Sequence, residues 1–261
     1  MGWIVKTWRH VPAPVRLSII NVVQRNNRLY RWLLFRHVDA KDRAAGVASS
    51  LPPAELRYRV SSTPDAEAFV AVGKRCAGDI QDALARVGRE LGSFERVLDF
   101  GCGCGRTLIH LKNLAPKAEL HGTDIDARAI EWCKRHLTFA RFKVSVETPP
   151  VDYPSETFDF IYAISVFTHL DEDYQFRWLE ELSRIAKPGA IVLLTVDSAL
   201  VGDRGFVFHR SYEEGLFPAW YQNAYHSREY VIDKFGRYFS ILAYLVKGMN
   251  EHQDVVMLRK V

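Results

Sequence analysis

The chain has 261 residues, of which 48% are hydrophobic, and its 35 Lys and Arg outnumber 31 Asp and Glu for a net charge of +4. This composition is sufficient for one large core and argues against a disordered chain. Four cysteines without a secretory signal or regular spacing favour a reducing, cytoplasmic environment over a disulfide framework, and no apolar run is long enough to span a membrane.

The N-terminal segment differs in charge from the rest of the chain. Residues 1–38 hold seven Lys or Arg and no Asp or Glu, and from Pro14 onward their apolar residues share one helical face. Such a basic amphipathic helix would attract an anionic membrane surface, a lipid-linked substrate or an acidic partner; alternatively, it packs on the core or covers a site as a lid. With the linker 39–53 it forms a predicted extension, residues 1–53, before a main domain of residues 54–261.

The most informative motif is an apolar strand that runs into three alternating glycines within residues 96–106. Gly101, Gly103 and Gly105 allow a tight strand-to-helix turn, and the next helix directs its free N–H groups into the same space. This geometry is typical of a site for a polar cofactor. The spacing D-x-G-x-G-x-G, with Arg106 where a dinucleotide motif has its third glycine, favours S-adenosylmethionine over NAD.

A second predicted strand, residues 118–123, ends at Asp124. A carboxylate at this place, ~20 residues beyond the first glycines, is suited to hold a ribose diol. Asp124 could instead cap the next helix, and Asp126 competes for that role. The Asp-Ile-Asp run suits both roles together, with Asp124 at the ribose and Asp126 at the cap.

These motifs resemble those of the class I S-adenosylmethionine-dependent methyltransferases, over roughly residues 55–261. One departure is Ala190, where that family usually has a second glycine. The resemblance is carried by the glycine turn 97–106, the strand end 122–126, the segments 158–163 and 165–170, and the stretch 182–189 with the apolar strand after it.

Alternating strand and helix patterns independently predict an α/β fold. We expect a Rossmann-like, seven-stranded, mostly parallel sheet with an antiparallel last strand, flanked by helices. The predicted strands are 95–100, 118–123, 142–146, 158–164, 190–196, 241–246 and 254–258. The predicted helices are 65–87, 107–114, 171–186 with Asp171 as its cap, and 227–235.

The resemblance also implies roles for residues near the cofactor. Asp99 would hold the cofactor's ammonium group or organise the glycine turn, and Glu147 and Thr148 could meet the adenine amino group unless they are simply solvated. Arg59 or Phe69 could contact the methionine end, although packing explains Phe69 equally well. The expected cofactor-binding residues are Asp99, Gly101, Cys102, Gly103, Gly105, Asp124, Ile125, Glu147, Thr148 and Ser165.

No metal site is expected. Cys102 and Cys104 could be interpreted as metal ligands, but two thiols without nearby Cys or His partners fall short of a zinc site. Their small size inside the glycine turn is the simpler explanation.

Histidines after the fourth strand are the candidates for a general base. His169 follows that strand directly, at the face where the methyl group should lie, although a structural role is the alternative. His226, beside Tyr225, is the second candidate, and His209 is the third. The aromatic run 217–230 is the expected acceptor-binding insert, because aromatic rings suit the faces of sugars and other rings.

The residues directly after the fourth strand narrow the acceptor class. Ser165-Val166-Phe167 stands in place of an Asn/Asp-Pro-Pro-Tyr/Phe signature, and no Pro-Cys nucleophile is present, which argues against methylation of nucleic-acid bases and against a nucleic-acid partner. We expect methyl transfer to a small-molecule, glycan or lipid-linked acceptor, at oxygen. The alternatives are N-methylation and a non-catalytic cofactor-binding scaffold recruited to a membrane.

Overall fold

The computed structural model describes residues 27–47, 50–209 and 222–261. Two compact units are present, one up to Glu55 and the other from Leu56 to Val261. The first unit contains helix α1, Asn27–Ala44, with Lys41 and Arg43 in its last turn, where cations interact favourably with the helix dipole. This helix extends six residues into the predicted linker, while the part of the predicted basic helix before Asn27 lies outside the described residues.

The remaining elements alternate between strand and helix along the chain. The helices are α2 (Ala54–Ser61), α3 (Ala66–Arg86), α4 (Leu108–Leu111), α5 (Ala127–His136), α6 (Glu172–Ile185) and α7 (Arg228–Phe235). The strands are β1 (Arg96–Phe100), β2 (Glu119–Asp124), β3 (Ala140–Val144), β4 (Phe158–Ala163), β5 (Ala186–Val196), β6 (Phe206–His209), β7 (Asn223–His226), β8 (Ser240–Met249) and β9 (Gln253–Arg259).

Seven strands form one sheet in the order β3-β2-β1-β4-β5-β9-β8. Strand β9 is antiparallel to both β5 and β8, and the other neighbouring pairs are parallel. The predicted sheet is therefore confirmed. Because the chain order reverses between β1 and β4, the carboxyl ends of these strands flank the crevice in which doubly wound sheets bind ligands.

The structure corrects several predicted boundaries. Strand β5 begins at Ala186 rather than at residue 190, because Gly189 donates a backbone hydrogen bond to Lys260. Strand β3 covers 140–144 rather than 142–146, and α4 has only four residues. Strands β6 and β7 pair as a separate antiparallel ribbon that the sequence analysis did not predict.

Helix α6 packs in the same core as the strands that flank the crevice. Asp171 caps it by accepting a hydrogen bond from the Tyr174 N–H, as predicted, and Leu179, Leu182 and Ile185 are fully buried at helical spacing. These side chains pack in one cluster with apolar residues of β4 and β5. The helix and the strand ends beside the crevice thus share one core. None of the helices in the described ranges is long and apolar enough to cross a lipid bilayer.

Candidate functional site

The glycine turn after β1 is held close to its neighbours. Gly101 and Gly103 adopt φ angles of 79° and 53°, which favour glycine. A Cβ on Gly101 would overlap the Val166 side chain, and one on Gly103 would overlap that of Val60. The backbone N–H groups of Gly101 and Cys102 both donate to the Thr123 carbonyl of β2, at 2.8 and 2.9 Å. The turn therefore has the glycine conformation that the sequence predicts, and its neighbours leave no room for a Cβ at these positions.

Asp124 already holds this turn through its carboxylate. Its Oδ2 accepts a hydrogen bond from Gly103 N at 2.7 Å, and its Oδ1 accepts one from Asp126 N at 2.8 Å. Burial raises the pKa of Asp124, and these two hydrogen bonds oppose the rise. Since each carboxylate oxygen can accept more than one hydrogen bond, Asp124 retains acceptor capacity for a diol.

Asp126 caps helix α5, as the Asp-Ile-Asp run predicts. Its Oδ1 accepts hydrogen bonds from Arg128 N at 3.1 Å and Ala129 N at 3.4 Å. Its Oδ2 pairs with Arg59 Nη1 at 2.7 Å. The Arg59 guanidinium therefore lies beside the end of β2, two residues from Asp124.

Asp99 is a buried carboxyl at the end of β1. Burial raises the pKa of Asp99 to about 7; the Tyr162 hydroxyl opposes this shift, the negative charge of Asp124 adds to it, and the Arg106 guanidinium opposes it. Near neutral pH the protonated and the ionised forms of Asp99 are therefore both populated. A cationic ligand group beside it would favour the carboxylate.

Helix α3 packs directly on the glycine turn. A Cβ on Gly73 would overlap the backbone carbonyl of Arg106, so helix and turn approach at backbone distance. Phe69, one turn earlier in the helix, is 1% exposed, which favours its packing role. The Arg106 Nη1 donates a hydrogen bond to the carbonyl of Val60 at 2.5 Å, joining the turn to α2.

Exposed apolar side chains lie at the carboxyl ends of β2 and β3. Ile125, Val144 and Val146 are exposed, and Ser145 N donates to the Asp124 carbonyl at 2.8 Å, which ties the two strand ends together. Glu147 and Thr148 follow on the exposed loop after β3. This side of the crevice combines apolar surface with nearby polar groups.

Ser165 connects three strands at the end of β4. Its φ is 58°, its N–H donates to Thr195 Oγ1 at 2.7 Å, and its hydroxyl donates to Gln253 Oε1 at 3.0 Å. Thr195 and Gln253 are site residues that the sequence analysis missed. They lie inside or beside apolar strands, where a single polar residue forms no recognisable motif.

His169 lies in a 3₁₀ turn, Phe167–His169, directly after β4. Its Nδ1 is 2.6 Å from the Gln222 carbonyl, an acceptor, so Nδ1 carries the proton and Nε2 is unprotonated in the neutral ring. Burial lowers the pKa of His169, and this hydrogen bond partly opposes the shift. The ring is neutral at physiological pH, as a proton acceptor must be.

The structure argues against His226 as a general base. Its side chain is fully buried on β7, its Nε2 is 2.9 Å from Gln175 Oε1, and burial lowers its pKa to about 3. The aromatic rings of Phe206, Tyr230 and Phe235 surround it. An acceptor cannot reach this ring, so its role is structural.

Other candidates of the acceptor region have contacts of their own. His209, at the end of β6, is exposed and contacts the Tyr225 ring edge-on at 6.0 Å. Residues 217–221 of the predicted aromatic insert lie outside the described residues. Tyr230, at the start of α7, donates a hydrogen bond to Glu172 Oε1 at 2.7 Å.

The thiols of the glycine turn are buried. Cys102 Sγ and Cys133 Sγ lie 3.6 and 3.7 Å from the Gly103 carbonyl, and Cys104 Sγ lies 3.7 Å from the Leu56 carbonyl. Burial raises the pKa of Cys102 and of Cys104. No cluster of His, Cys, Asp or Glu suited to a metal ion is found in the described parts of the chain.

Parts of this sequence are similar to sequences of known proteins. Residues 98–192 match the family model described as a methyltransferase domain. An uncharacterized protein of Rickettsia prowazekii is 25% identical over 107 residues, 40% of this chain and 43% of that one. The ribosomal RNA small subunit methyltransferase C of Shewanella sediminis is 42% identical over 62 residues, 24% of this chain and 18% of the relative. The chain thus spans less than half the length of the curated relatives it matches.

Comparison with solved structures concerns the fold. The 1,6-didemethyltoxoflavin-N1-methyltransferase of Burkholderia thailandensis, solved with bound 1,6-didemethyltoxoflavin and S-adenosylhomocysteine, is similar in structure, with a TM-score of 0.55 at 18% identity. The match covers 80% of this chain and 88% of that one. At this identity the likeness shows a shared fold. Residues 98–192 thus match a methyltransferase domain, and the sheet order and the glycine turn fit that match.

Proposed function

We propose that the chain transfers the methyl group of S-adenosylmethionine to an oxygen of a small-molecule, glycan or lipid-linked acceptor. The observation that carries this proposal is the glycine turn, held between Asp99 and Asp124 at the carboxyl ends of β1 and β2. The two carboxyl groups there suit a ligand with an ammonium group and a ribose diol. When bound, the cofactor supplies an electrophilic methyl group.

The described side chains suggest how such a cofactor is held. Asp99 would pair with the ammonium group, and Asp124 would accept hydrogen bonds from the ribose hydroxyls. The apolar surface of Ile125 and Val144 suits the adenine ring, with Glu147 or Thr148 near its amino group. Gly101, Gly103, Gly105 and Cys102 would line the turn, and Ser165 would lie at the β4 side.

The proposed base is His169. A hydroxyl acceptor becomes a better nucleophile when a neutral imidazole takes its proton, and Nε2 is the unprotonated nitrogen in this structure. The other task of the chain is to align the acceptor and exclude water. An amine acceptor would need this base less, so independence of turnover from His169 would favour the N-methylation alternative.

Calorimetric titration with S-adenosylmethionine, S-adenosylhomocysteine and NAD tests the cofactor site. We expect the first two to bind and NAD not to bind. Asp124→Ala should weaken binding roughly 10- to 100-fold, because a hydrogen bond to a charged group contributes about 1.5–3 kcal/mol.

The matched control is Asp126→Ala, which removes a carboxylate two residues away. It should lower the free energy of unfolding by about 1 kcal/mol through loss of the α5 cap, with a smaller loss of affinity. Equal losses in both variants would refute the ribose assignment. Failure of the wild type to bind either sulfur compound would refute the cofactor assignment.

We also propose a peripheral contact between residues 1–38 and an anionic membrane surface. Tyr30, Trp32 and Leu33 are exposed on α1, and the Arg36 guanidinium lies 4.8 Å from the centre of the Trp32 ring. An aromatic and cationic helix surface of this kind binds at the boundary between headgroups and acyl chains. The excess of cations in this segment supports an anionic partner.

Co-sedimentation with phosphatidylserine vesicles tests this contact. Arg36→Ala should weaken binding about 5-fold, since one cation near the surface contributes about 1 kcal/mol. Trp32→Ala should also weaken it by removing apolar contact. Arg43→Ala, an exposed cation at the other end of the helix, is the matched control and should have a smaller effect. Equal binding to uncharged phosphatidylcholine vesicles, or none to either, would contradict the proposal.

A further inference from the structure

Two hydrogen bonds join the turn after β4 and helix α6 to the segment that forms β7, and each involves a histidine. His169 of the turn bonds the carbonyl of Gln222, directly before β7. His226, at the other end of β7, bonds the side chain of Gln175 on α6. Gln222 and His226 are four residues apart, which is about 13 Å along an extended strand. The short strand is therefore fastened at both ends.

The amide of Gln175 connects this strand to the turn that carries His169. Its Nε2 donates hydrogen bonds to the carbonyls of Phe167 at 3.1 Å and Leu170 at 2.9 Å, on either side of His169. Gln175 is fully buried, so these bonds are not exchanged with bulk water. One side chain thus anchors the turn and the far end of β7 together.

The same amide determines which nitrogen of His226 carries the proton. Because Gln175 Nε2 faces two carbonyls, its oxygen must be the atom that faces His226. His226 therefore donates from Nε2, and its neutral ring keeps Nδ1 unprotonated. Among the described residues Nδ1 has no hydrogen-bond partner, so the bond to Gln175 is the polar anchor of the side chain.

We propose that Gln175 and His226 are positioning residues that keep the proton of His169 on Nδ1 and so leave Nε2 as its basic nitrogen. Gln175 holds the turn on both sides of His169, and His226 holds β7 where the Gln222 carbonyl receives the Nδ1 proton. Without the Gln175–His226 bond, β7 loses one attachment, and the hydrogen bond that keeps the proton of His169 on Nδ1 is weakened. The inference rests on the proposed function only for the role of His169 as base.

NMR of the cofactor-free full chain, with ¹⁵N-labelled histidine, tests the proposal at neutral pH. The two-bond ¹H–¹⁵N couplings identify the protonated nitrogen of each ring. In the wild type we expect the proton of His169 on Nδ1 and that of His226 on Nε2. Gln175→Met keeps the side-chain length but removes its hydrogen bonds, so His169 should change to mixed tautomers. His226→Phe removes the hydrogen bond between Gln175 and His226 but keeps an aromatic ring among its aromatic neighbours. It should have the same effect on His169.

Ser183→Ala is the matched control, because it removes another buried hydrogen bond of α6, from Lys260 Nζ at 2.7 Å. It should leave both tautomers unchanged. A wild-type His169 with its proton on Nε2, or an unchanged His169 in either variant, would overturn the proposal. The spectra require neither cofactor nor acceptor, so a failure to bind S-adenosylmethionine would refute the proposed function and leave this result intact. With an acceptor in hand, both variants should lower kcat far more than they change cofactor affinity.

Discussion

Gly73→Ala should destabilise the protein by roughly 3 kcal/mol, because its methyl group would overlap the backbone carbonyl of Arg106 in a tightly packed contact. A carbonyl in the glycine turn cannot rotate away as a side chain can. The helix must move, or the turn must shift beside Gly105. We therefore expect a loss of cofactor affinity together with the loss of stability.

Gly78→Ala on the same helix is the matched control. No atom lies within 4 Å of the position of its Cβ, and alanine favours the helix by about 1 kcal/mol over glycine. Gly78→Ala should therefore stabilise the protein and leave cofactor affinity unchanged. Chemical denaturation and calorimetry of both variants measure the two effects. A Gly73→Ala protein as stable as the wild type would show that α3 does not approach the turn at backbone distance.

Asp99→Asn should stabilise the cofactor-free protein at pH 8 but not at pH 4. In the folded wild type the pKa of Asp99 is raised from 3.8 to about 7, so between these values the folded state keeps a proton that the unfolded state has lost. Stability therefore falls as pH rises through this window. Because asparagine cannot ionise, the free energy of unfolding of the variant should exceed that of the wild type by a few kcal/mol above pH 7, at about 1.4 kcal/mol per pKa unit.

Urea denaturation at pH 4, 6 and 8 measures this difference, and the exposed Asp152→Asn is the control. Lys143 lowers the pKa of Asp152, so that carboxylate stabilises the fold at high pH and loses its effect as pH falls through its folded pKa. The two variants should therefore shift stability in opposite directions at pH 8. A stability gain of Asp99→Asn that is independent of pH would contradict the assignment. The same variant should bind S-adenosylmethionine more weakly at pH 8, because it lacks the charge that would face the ammonium group.

The parts of the site that sequence patterns predicted are those with local signals. The glycine turn, the carboxylate at the end of β2 and the cap at Asp126 each depend on neighbouring residues whose chemistry is unambiguous. The number of strands and their mostly parallel arrangement follow from the alternation of helix and strand along the chain. These features could be predicted without knowing which distant residues meet.

The parts that the sequence analysis missed depend on tertiary contacts. Gln175 is one polar residue in an amphipathic helix, and its three hydrogen bonds go to two other segments. The β6–β7 ribbon was missed because its two strands have only four residues each and are separated by thirteen residues. Strand β5 was predicted too short because Pro188 and Gly189 are typical residues after a helix end, whereas the backbone of Gly189 pairs with Lys260 next to β9.

The two backbone hydrogen bonds of Asp124 have a consequence for the entropy of ligand binding. A loop that is ordered by its own protein before the ligand arrives loses little conformational freedom on association, and this preorganisation increases affinity. In this protein the glycine turn loses its conformational entropy when the chain folds and not when the ligand binds. Variants that loosen the turn should therefore lose affinity as an entropic penalty, even where the altered side chain touches no atom of the ligand.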